Sequence, residues 1–115
     1  MPDVDNPIVI AQTTEDDEER AYGLARGAVE ARLAAGAHVD ARMTAFYWWK
    51  GEVQHEREYR VSFKTTRDRV GALQEWVHAN HSYDVPQWIV LPTVGASESY
   101  LAWAQTETQT ETRQR

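Results

Sequence analysis

The chain has 115 residues and a mass of 13.2 kDa, the size of a single domain with an ordinary hydrophobic core. Its 18 acidic residues outnumber its 12 Lys and Arg residues, and the net charge of −6 argues against a general affinity for nucleic acid or anionic membranes. The absence of cysteine excludes disulfides and thiolate chemistry. No secretory leader or membrane-spanning run is apparent, so the cytoplasm is the expected location.

The first predicted elements are a strand and a helix. Residues 8–14 have the composition of a short buried strand, and Thr14 is predicted to be the N-cap of the helix that follows. Apolar residues spaced three and four apart give this helix one apolar face, and Gly36 is predicted to lie just beyond its last turn. The acidic run at 15–19 is interpreted as the solvated first turn of the helix, where the helix dipole favours anions.

An aromatic hairpin is the most distinctive pattern. Its predicted arms, residues 37–49 and 52–65, are joined at the Lys50-Gly51 turn and exceed the usual strand length of about five or six residues. One domain of this size cannot easily cover so much strand edge and aromatic surface. The pattern therefore predicts self-association through the hairpin. Packing of Trp48 and Trp49 within one subunit is the alternative.

A helix, a strand and a short terminal helix are predicted after the hairpin. Thr65 or Thr66 is predicted to cap the helix, which ends near residues 80–82. Residues 87–94 form the strand, with Pro92 placing it at a sheet edge. Ser97 is predicted to cap the terminal helix.

The domain is predicted to span residues 7–104, between a flexible N-terminus at 1–6 and a tail at 105–115. The tail has no apolar residues and is predicted to be disordered, because it cannot bury enough surface to offset the entropy of ordering.

The order β-α-β-β-α-β predicts an α+β, ferredoxin-like fold, in which two helices cover one face of a four-stranded antiparallel sheet. A short C-terminal helix is added to it. The second face of the sheet presents large side chains, which must meet a ligand or another subunit.

Several segments together resemble the CutA family, whose members are named for divalent-cation tolerance. The matching segments occur in order along residues 7–104: Ile8-Val-Ile-Ala-Gln-Thr-Thr14, Leu33-Ala-Ala35, Phe46-Tyr-Trp-Trp-Lys-Gly51, Phe63-Lys-Thr-Thr66, His81-Ser-Tyr-Asp-Val-Pro86, Val90-Leu-Pro92 and Tyr100-Leu-Ala-Trp103. The resemblance implies a homotrimer on a fold shared with the PII signalling proteins. The long hairpins would pack around its threefold axis, with Tyr47, Trp48 and Trp49 in the interface.

The resemblance also implies an association with copper and other divalent ions. Ligand positions proposed for some relatives fall on Gln12, Asn80 and His81, and only His81 is a metal-binding residue type. Gly36 stands where many relatives have cysteine, and relatives have proline in place of Ser82. Without sulfur at these two positions, a site of the family type lacks the donor type that selects Cu(I).

The histidines allow a weaker site of nitrogen and oxygen ligands. His78 and His81 are three residues apart at the end of the second helix, and Glu58 or Asp84 is a candidate third ligand. Such a set suits Cu(II) or Zn(II). The alternative is that these imidazoles are protonated and stabilised by the helix C-terminus without a metal.

The leading prediction is a non-enzymatic trimeric scaffold that senses or buffers divalent cations at clefts between subunits. No nucleophile motif or phosphate loop points to an enzyme, and the aromatic pattern of RNA-recognition domains is missing. The alternative is a PII-like signalling module whose clefts bind a small anion or a partner protein, with Lys64 and Tyr83 as contacts. The simpler interpretation of Lys64 is an ion pair with a neighbouring strand.

Overall fold

Antiparallel strand pairing organises the molecule, for which a computed structural model describes residues 6–109. The strands run in the spatial order β5-β1-β4-β2, and β3 extends the sheet by pairing with the far end of β4. The elements, in chain order, are β1 (Ile8–Glu15), α1 (Glu18–Glu30), β2 (Gly36–Val39), β3 (Met43–Trp49), β4 (Glu52–Thr66), α2 (Val70–Asn80), β5 (Ile89–Pro92) and α3 (Glu98–Glu107).

The hydrophobic core lies between the sheet and helices α1 and α2, which confirms the α+β, ferredoxin-like prediction. Its buried side chains come from both helices, the strands and the segment after α1: Ala11, Ala21, Leu24, Ala28, Leu33, Ala34, Val61, Phe63, Leu73 and Val77. Ile8 has the opposite strand parity to Ala11 and therefore points to the other face. There it packs with Ala104 of α3, so α3 covers one end of the second face.

The ends of α1 differ from the prediction. The N-cap is Asp17, whose Oδ2 accepts a hydrogen bond from the Arg20 N–H at 3.0 Å. Thr14 is not the cap, because it pairs with Arg60 in the sheet ladder. The helix ends at Glu30, and Arg32 makes the left-handed turn at φ 64°, whereas Gly36 already belongs to β2.

The first arm of the predicted hairpin is two strands rather than one. Strands β2 and β3 are separated at residues 40–42, and both pair with β4, which is 15 residues long. The Lys50-Gly51 turn is confirmed. Both residues have positive φ, 52° and 83°, as the two central residues of a type I′ hairpin turn require.

The start of α2 was also predicted incorrectly, whereas the later elements agree well. Thr66 belongs to β4 and the Thr65 hydroxyl donates to the Leu33 carbonyl at 2.7 Å, so neither caps α2. Arg69 occupies the N-cap position, and its side chain makes no capping hydrogen bond. Pro92 lies in the edge strand β5, as predicted. Ser97 caps α3 by accepting a hydrogen bond from the Tyr100 N–H.

Helix α3 continues past residue 104, where the domain was predicted to end. Ala104 is fully buried, and both the N–H and the hydroxyl of Thr108 donate to its carbonyl. The first residues of the predicted tail are therefore helical. The rest of the tail, 110–115, and residues 1–5 of the predicted N-terminus lie outside the described residues. Within 6–109, no helix combines the length and apolarity needed to cross a membrane.

Candidate functional site

The segment between α2 and β5, residues 81–87, is called the latch loop because strands β1 and β4 hold it in place. His81 begins it with a fully buried imidazole. Its Nδ1 accepts a hydrogen bond from the Tyr83 N–H at 3.1 Å, so Nε2 carries the proton and donates to the Thr14 carbonyl at 2.7 Å. His81 therefore fixes the loop against the end of β1.

Glu15 is the second anchor of the latch loop. Its role was not predicted from the sequence, which assigned it to the first turn of α1. Its fully buried carboxylate accepts hydrogen bonds from the N–H of Ser82 at 3.1 Å and from the Ser82 hydroxyl at 2.7 Å. Ser82 occupies the position where the resemblance places proline, and proline has no N–H to donate. The two hydrogen bonds from Ser82 to Glu15 therefore include one, from the N–H, that a proline at this position could not make.

Tyr83 forms the third anchor. Its hydroxyl donates to Glu58 Oε2 at 2.7 Å, and Glu58 is itself almost completely buried on β4. Burial raises the pKa of the Tyr83 hydroxyl, and the hydrogen bond to the Glu58 carboxylate raises it further. The hydroxyl therefore stays protonated and acts as a donor.

A groove of about 710 Å³ separates the latch loop from the aromatic hairpin. Tyr83 and Glu58 lie in its wall, so the hydrogen bond between them joins the two sides. Carboxylates and aromatic rings both line it, and the lining includes Asp16, Met43, Tyr47, Trp49, Glu56, Arg60, Asp84 and Pro86. Arg60 is neutralised in part by Asp40, whose Oδ2 lies 3.0 Å from its Nε.

The predicted interface residues lie on the hairpin, much of which is uncovered. Val53 has the same strand parity as the core residues Val61 and Phe63, but it lies beyond the reach of the helices and is 59% exposed. Its cross-strand partner Trp48 is 73% exposed, and Phe46 on the same face is 72% exposed. Tyr47 and Trp49 on the other face are less exposed, at 39% and 44%. One copy of the chain leaves both faces of the hairpin in water.

The predicted metal ligands are not assembled into one site within a single chain. His81 uses both ring nitrogens in hydrogen bonds, whereas His78 contacts the Gln74 carbonyl and the ring of Trp88. Glu58 is bound to Tyr83, and Asp84 is exposed. In the described part of the chain, no group of three or more His, Asp or Glu side chains has an arrangement that would hold an ion.

Lys64 and Tyr83, the predicted cleft residues, also lie far apart. Lys64 follows Glu58 by six positions on β4, roughly 20 Å along an extended strand. It pairs with Ile10 and Gly36, and its Nζ lies 2.6 Å from His38 Nδ1. Its contact is thus an imidazole rather than the predicted ion-pair partner.

Comparison with known proteins gives consistent matches over most of the chain. The family described as CutA1 divalent ion tolerance protein matches residues 9–107. The divalent-cation tolerance protein CutA of Thermus thermophilus is 37% identical over 95 residues, which are 83% of this chain and 92% of that protein. The chloroplastic protein CutA 1 of Oryza sativa is 35% identical over 103 residues, or 90% of this chain. The chain spans only 58% of the rice protein and 57% of the Arabidopsis thaliana chloroplastic protein CutA.

Solved structures show the same fold. The crystal structure of CutA1 from Oryza sativa superposes with a TM-score of 0.87 at 33% identity, covering 95% of this chain and all of that one. The divalent cation tolerance protein from Thermus thermophilus gives a TM-score of 0.85 at 34% identity, covering 89% of this chain and 99% of that one.

Proposed function

The chain belongs to the CutA1 family of divalent ion tolerance proteins, and on that basis we propose that it is a non-enzymatic, cytoplasmic scaffold that acts in divalent-cation tolerance as a homotrimer. The observation that carries this proposal is the uncovered aromatic hairpin. The family is named for an ion response rather than for a catalytic reaction, and the latch loop holds its polar groups in structural hydrogen bonds.

The hairpin supports self-association for a physical reason. Phe46 and Trp48 are more than two-thirds exposed, and burying apolar surface contributes about 25 cal/mol per Å². In the described chain, β3 pairs only with β4 and leaves its outer edge without a strand partner. A closed ring of three copies covers such surfaces without creating new free ones.

The assembly is tested by sedimentation of the purified chain at micromolar concentration. We expect the wild type to sediment as a trimer and Trp48→Glu to sediment as smaller species, because a carboxylate at that position must be desolvated in the interface. Tyr22→Glu is the matched control, since Tyr22 is 54% exposed and belongs to α1 rather than to the hairpin. A monomeric wild type, or a Trp48→Glu variant that remains trimeric, would overturn the proposal.

We place divalent-cation binding, of Cu(II) or Zn(II), between copies rather than within one. The described residues of one chain provide no three-ligand cluster, and His81 lacks a free ring nitrogen. The groove does offer the exposed Asp84 beside the hairpin, so a second copy has to complete any ligand set. Such a site would be weak and would use nitrogen and oxygen donors.

Calorimetric titration of metal-free protein with Cu(II) and Zn(II) tests the location of this site. We expect binding to the wild type, reduced binding to Asp84→Asn, unchanged binding to the distant Glu75→Gln, and loss of binding in the assembly-defective Trp48→Glu. If Trp48→Glu dissociates into single chains and still binds the ion with wild-type affinity, the site lies within one chain. In that case this part of the proposal is wrong.

A further inference from the structure

Lys64 and His38 form a close pair on the sheet face opposite α1 and α2. They lie on the neighbouring strands β4 and β2, with Lys64 Nζ 2.6 Å from His38 Nδ1. A lysine ammonium has three donors and no acceptor, so the imidazole nitrogen accepts the hydrogen bond. The proton on Lys64 is therefore directed at a base.

Lys64 has no direct carboxylate partner among residues 6–109. Asp40, whose charge acts on Lys64, forms its short contact with Arg60 Nε at 3.0 Å instead. Burial lowers the pKa of the Lys64 ammonium, and the Asp40 carboxylate opposes this only in part. A partly desolvated ammonium without an ion pair loses its proton more readily than one in water.

We propose that Lys64 is a reactive amine that condenses with small aldehydes to form a Schiff base, with His38 as the base that accepts its proton. This is the arrangement of an activated nucleophile, in which the nucleophile and its base lie within hydrogen-bond distance. It goes beyond the scaffold function proposed above and does not depend on metal binding.

The condensation needs no oxidant or reductant. His38 Nδ1 takes one proton from the ammonium, and the freed nitrogen lone pair attacks the carbonyl carbon while the C=O π electrons move to oxygen. The alkoxide takes a proton from the nitrogen to give the neutral carbinolamine. Its hydroxyl then takes the proton held by His38 and leaves as water, while the nitrogen lone pair forms the C=N bond and His38 returns to its starting state. The balance is one amine and one aldehyde giving one imine and one water.

The surroundings of Lys64 favour a small, largely apolar aldehyde. Ile10 lies directly opposite Lys64 on β1, and Leu91 on β5 continues the same row across the sheet. The next row contains Gln12 and Ser62, whose side chains are hydrogen-bonded to each other at 3.2 Å. A short alkyl group can therefore pack on the aliphatic row beside the amine.

The chain contains its own control for this proposal, because it has just two lysines. Lys50 lies at the exposed hairpin turn, with its Nζ 6.0 Å from the centre of the Trp49 ring. We propose treating the full chain with butanal and sodium cyanoborohydride at neutral pH, which reduces each imine to a stable alkylamine. Peptide mapping by mass spectrometry then gives the rate at each lysine.

We expect Lys64 to be labelled at least several-fold faster than Lys50, and His38→Asn to slow Lys64 to the rate of Lys50 or below. The Lys50 rate and the near-ultraviolet circular dichroism in each variant report whether the fold is retained. Equal rates in the wild type, faster labelling of Lys50, or an unchanged Lys64 rate in folded His38→Asn would overturn the proposal. The wild-type comparison stands even if His38→Asn does not fold.

Discussion

Two buried carboxylates, Glu15 on β1 and Glu58 on β4, accept hydrogen bonds from consecutive residues of the latch loop. Ser82 donates to the first and Tyr83 to the second. A buried carboxylate is stable only when donors replace its water, so each glutamate requires its loop residue as much as the loop requires the glutamate. The hydrogen bond to Glu58 therefore holds Tyr83 in the groove wall.

We predict that Glu15→Ala lowers the free energy of unfolding by about 1–3 kcal/mol, because the two hydrogen bonds that Ser82 donates to this buried carboxylate are lost. Denaturant unfolding monitored by tryptophan fluorescence measures the change. Glu75→Ala is the control, since Glu75 is exposed on α2 and its loss should change stability by no more than about 0.5 kcal/mol. Equal effects of the two substitutions would show that the Glu15 contacts contribute nothing.

Ionisation of the Tyr83 hydroxyl is expected to lower the stability of the folded protein at alkaline pH. Burial, and then the hydrogen bond to Glu58, raise its pKa above the ordinary value of 10.0. A raised pKa means that the folded state holds the proton more tightly, so the contribution is complete below pH 10 and is lost as pH rises further. We therefore predict that the wild type loses stability above pH 10.

Tyr83→Phe should remove this component of the alkaline loss, because the variant has no hydroxyl to ionise. Stability curves of both proteins, measured by denaturant unfolding at increasing pH, test the prediction. Tyr100→Phe is the comparison, since Tyr100 is exposed on α3 and the stability curve should change little. Parallel curves for the wild type and Tyr83→Phe would contradict it.

At the scale of elements, the packing of α1 against α2 depends on one glycine. A Cβ built on Gly27 would lie 2.7 Å from Cη2 of Trp76, a distance that forces the ring to move. Gly23, one turn earlier in the same helix, has no atom within 4 Å of its added Cβ. Alanine gains the same helix propensity at both positions, but only Gly23 has room for the added methyl group.

We predict opposite effects for the two alanine substitutions. Gly23→Ala should stabilise the protein by about 0.5–1 kcal/mol through helix propensity. Gly27→Ala should destabilise it, because displacing a packed ring costs about 1–3 kcal/mol and outweighs that gain. Thermal unfolding of both variants measures these two effects. If both raise the melting temperature equally, the Gly27–Trp76 contact does not limit helix packing.

The elements that were predicted correctly are those with local signals. Alternation of apolar residues marks the strands, Lys50-Gly51 marks the hairpin turn, Pro92 marks an edge strand, and Ser97 precedes a helix that it caps. The errors at Thr14 and at the break between β2 and β3 have a common origin. Sheet pairing with β4 decides both, and pairing partners are distant in sequence.

The site was harder to predict than the fold because its contacts are long-range. Glu15 and Ser82 are 67 positions apart, and His38 and Lys64 are 26 apart. Nothing near Glu15 distinguishes a buried acceptor from one more member of an acidic first turn. His81 was identified as important, but its two hydrogen bonds give it a positioning role that residue type alone does not indicate.

The whole molecule is elongated for its size. Its radius of gyration is 15.2 Å, against about 13 Å for a compact domain of roughly 100 residues, and its principal extents are 50 × 35 × 23 Å. The outer part of the β3–β4 hairpin accounts for this shape, since no helix covers Val53 or Trp48 there. Such a projection carries aromatic area to where a second copy can cover it.

This shape predicts that thermal stability depends on protein concentration. Association that occurs only in the folded state stabilises that state by mass action, so the melting temperature of the wild type should rise with concentration. In a single chain Trp48 is 73% exposed, and replacing it costs little intrinsic stability. Trp48→Glu should therefore match the most dilute wild type and show no concentration dependence. Scanning calorimetry over a hundredfold concentration range measures both. A wild-type melting temperature that is independent of concentration would contradict the prediction, because even copies that separate only on unfolding melt at a higher temperature when they are more concentrated. Sedimentation at the lowest concentration would then show single folded chains, whose hairpin is stable without a neighbouring copy.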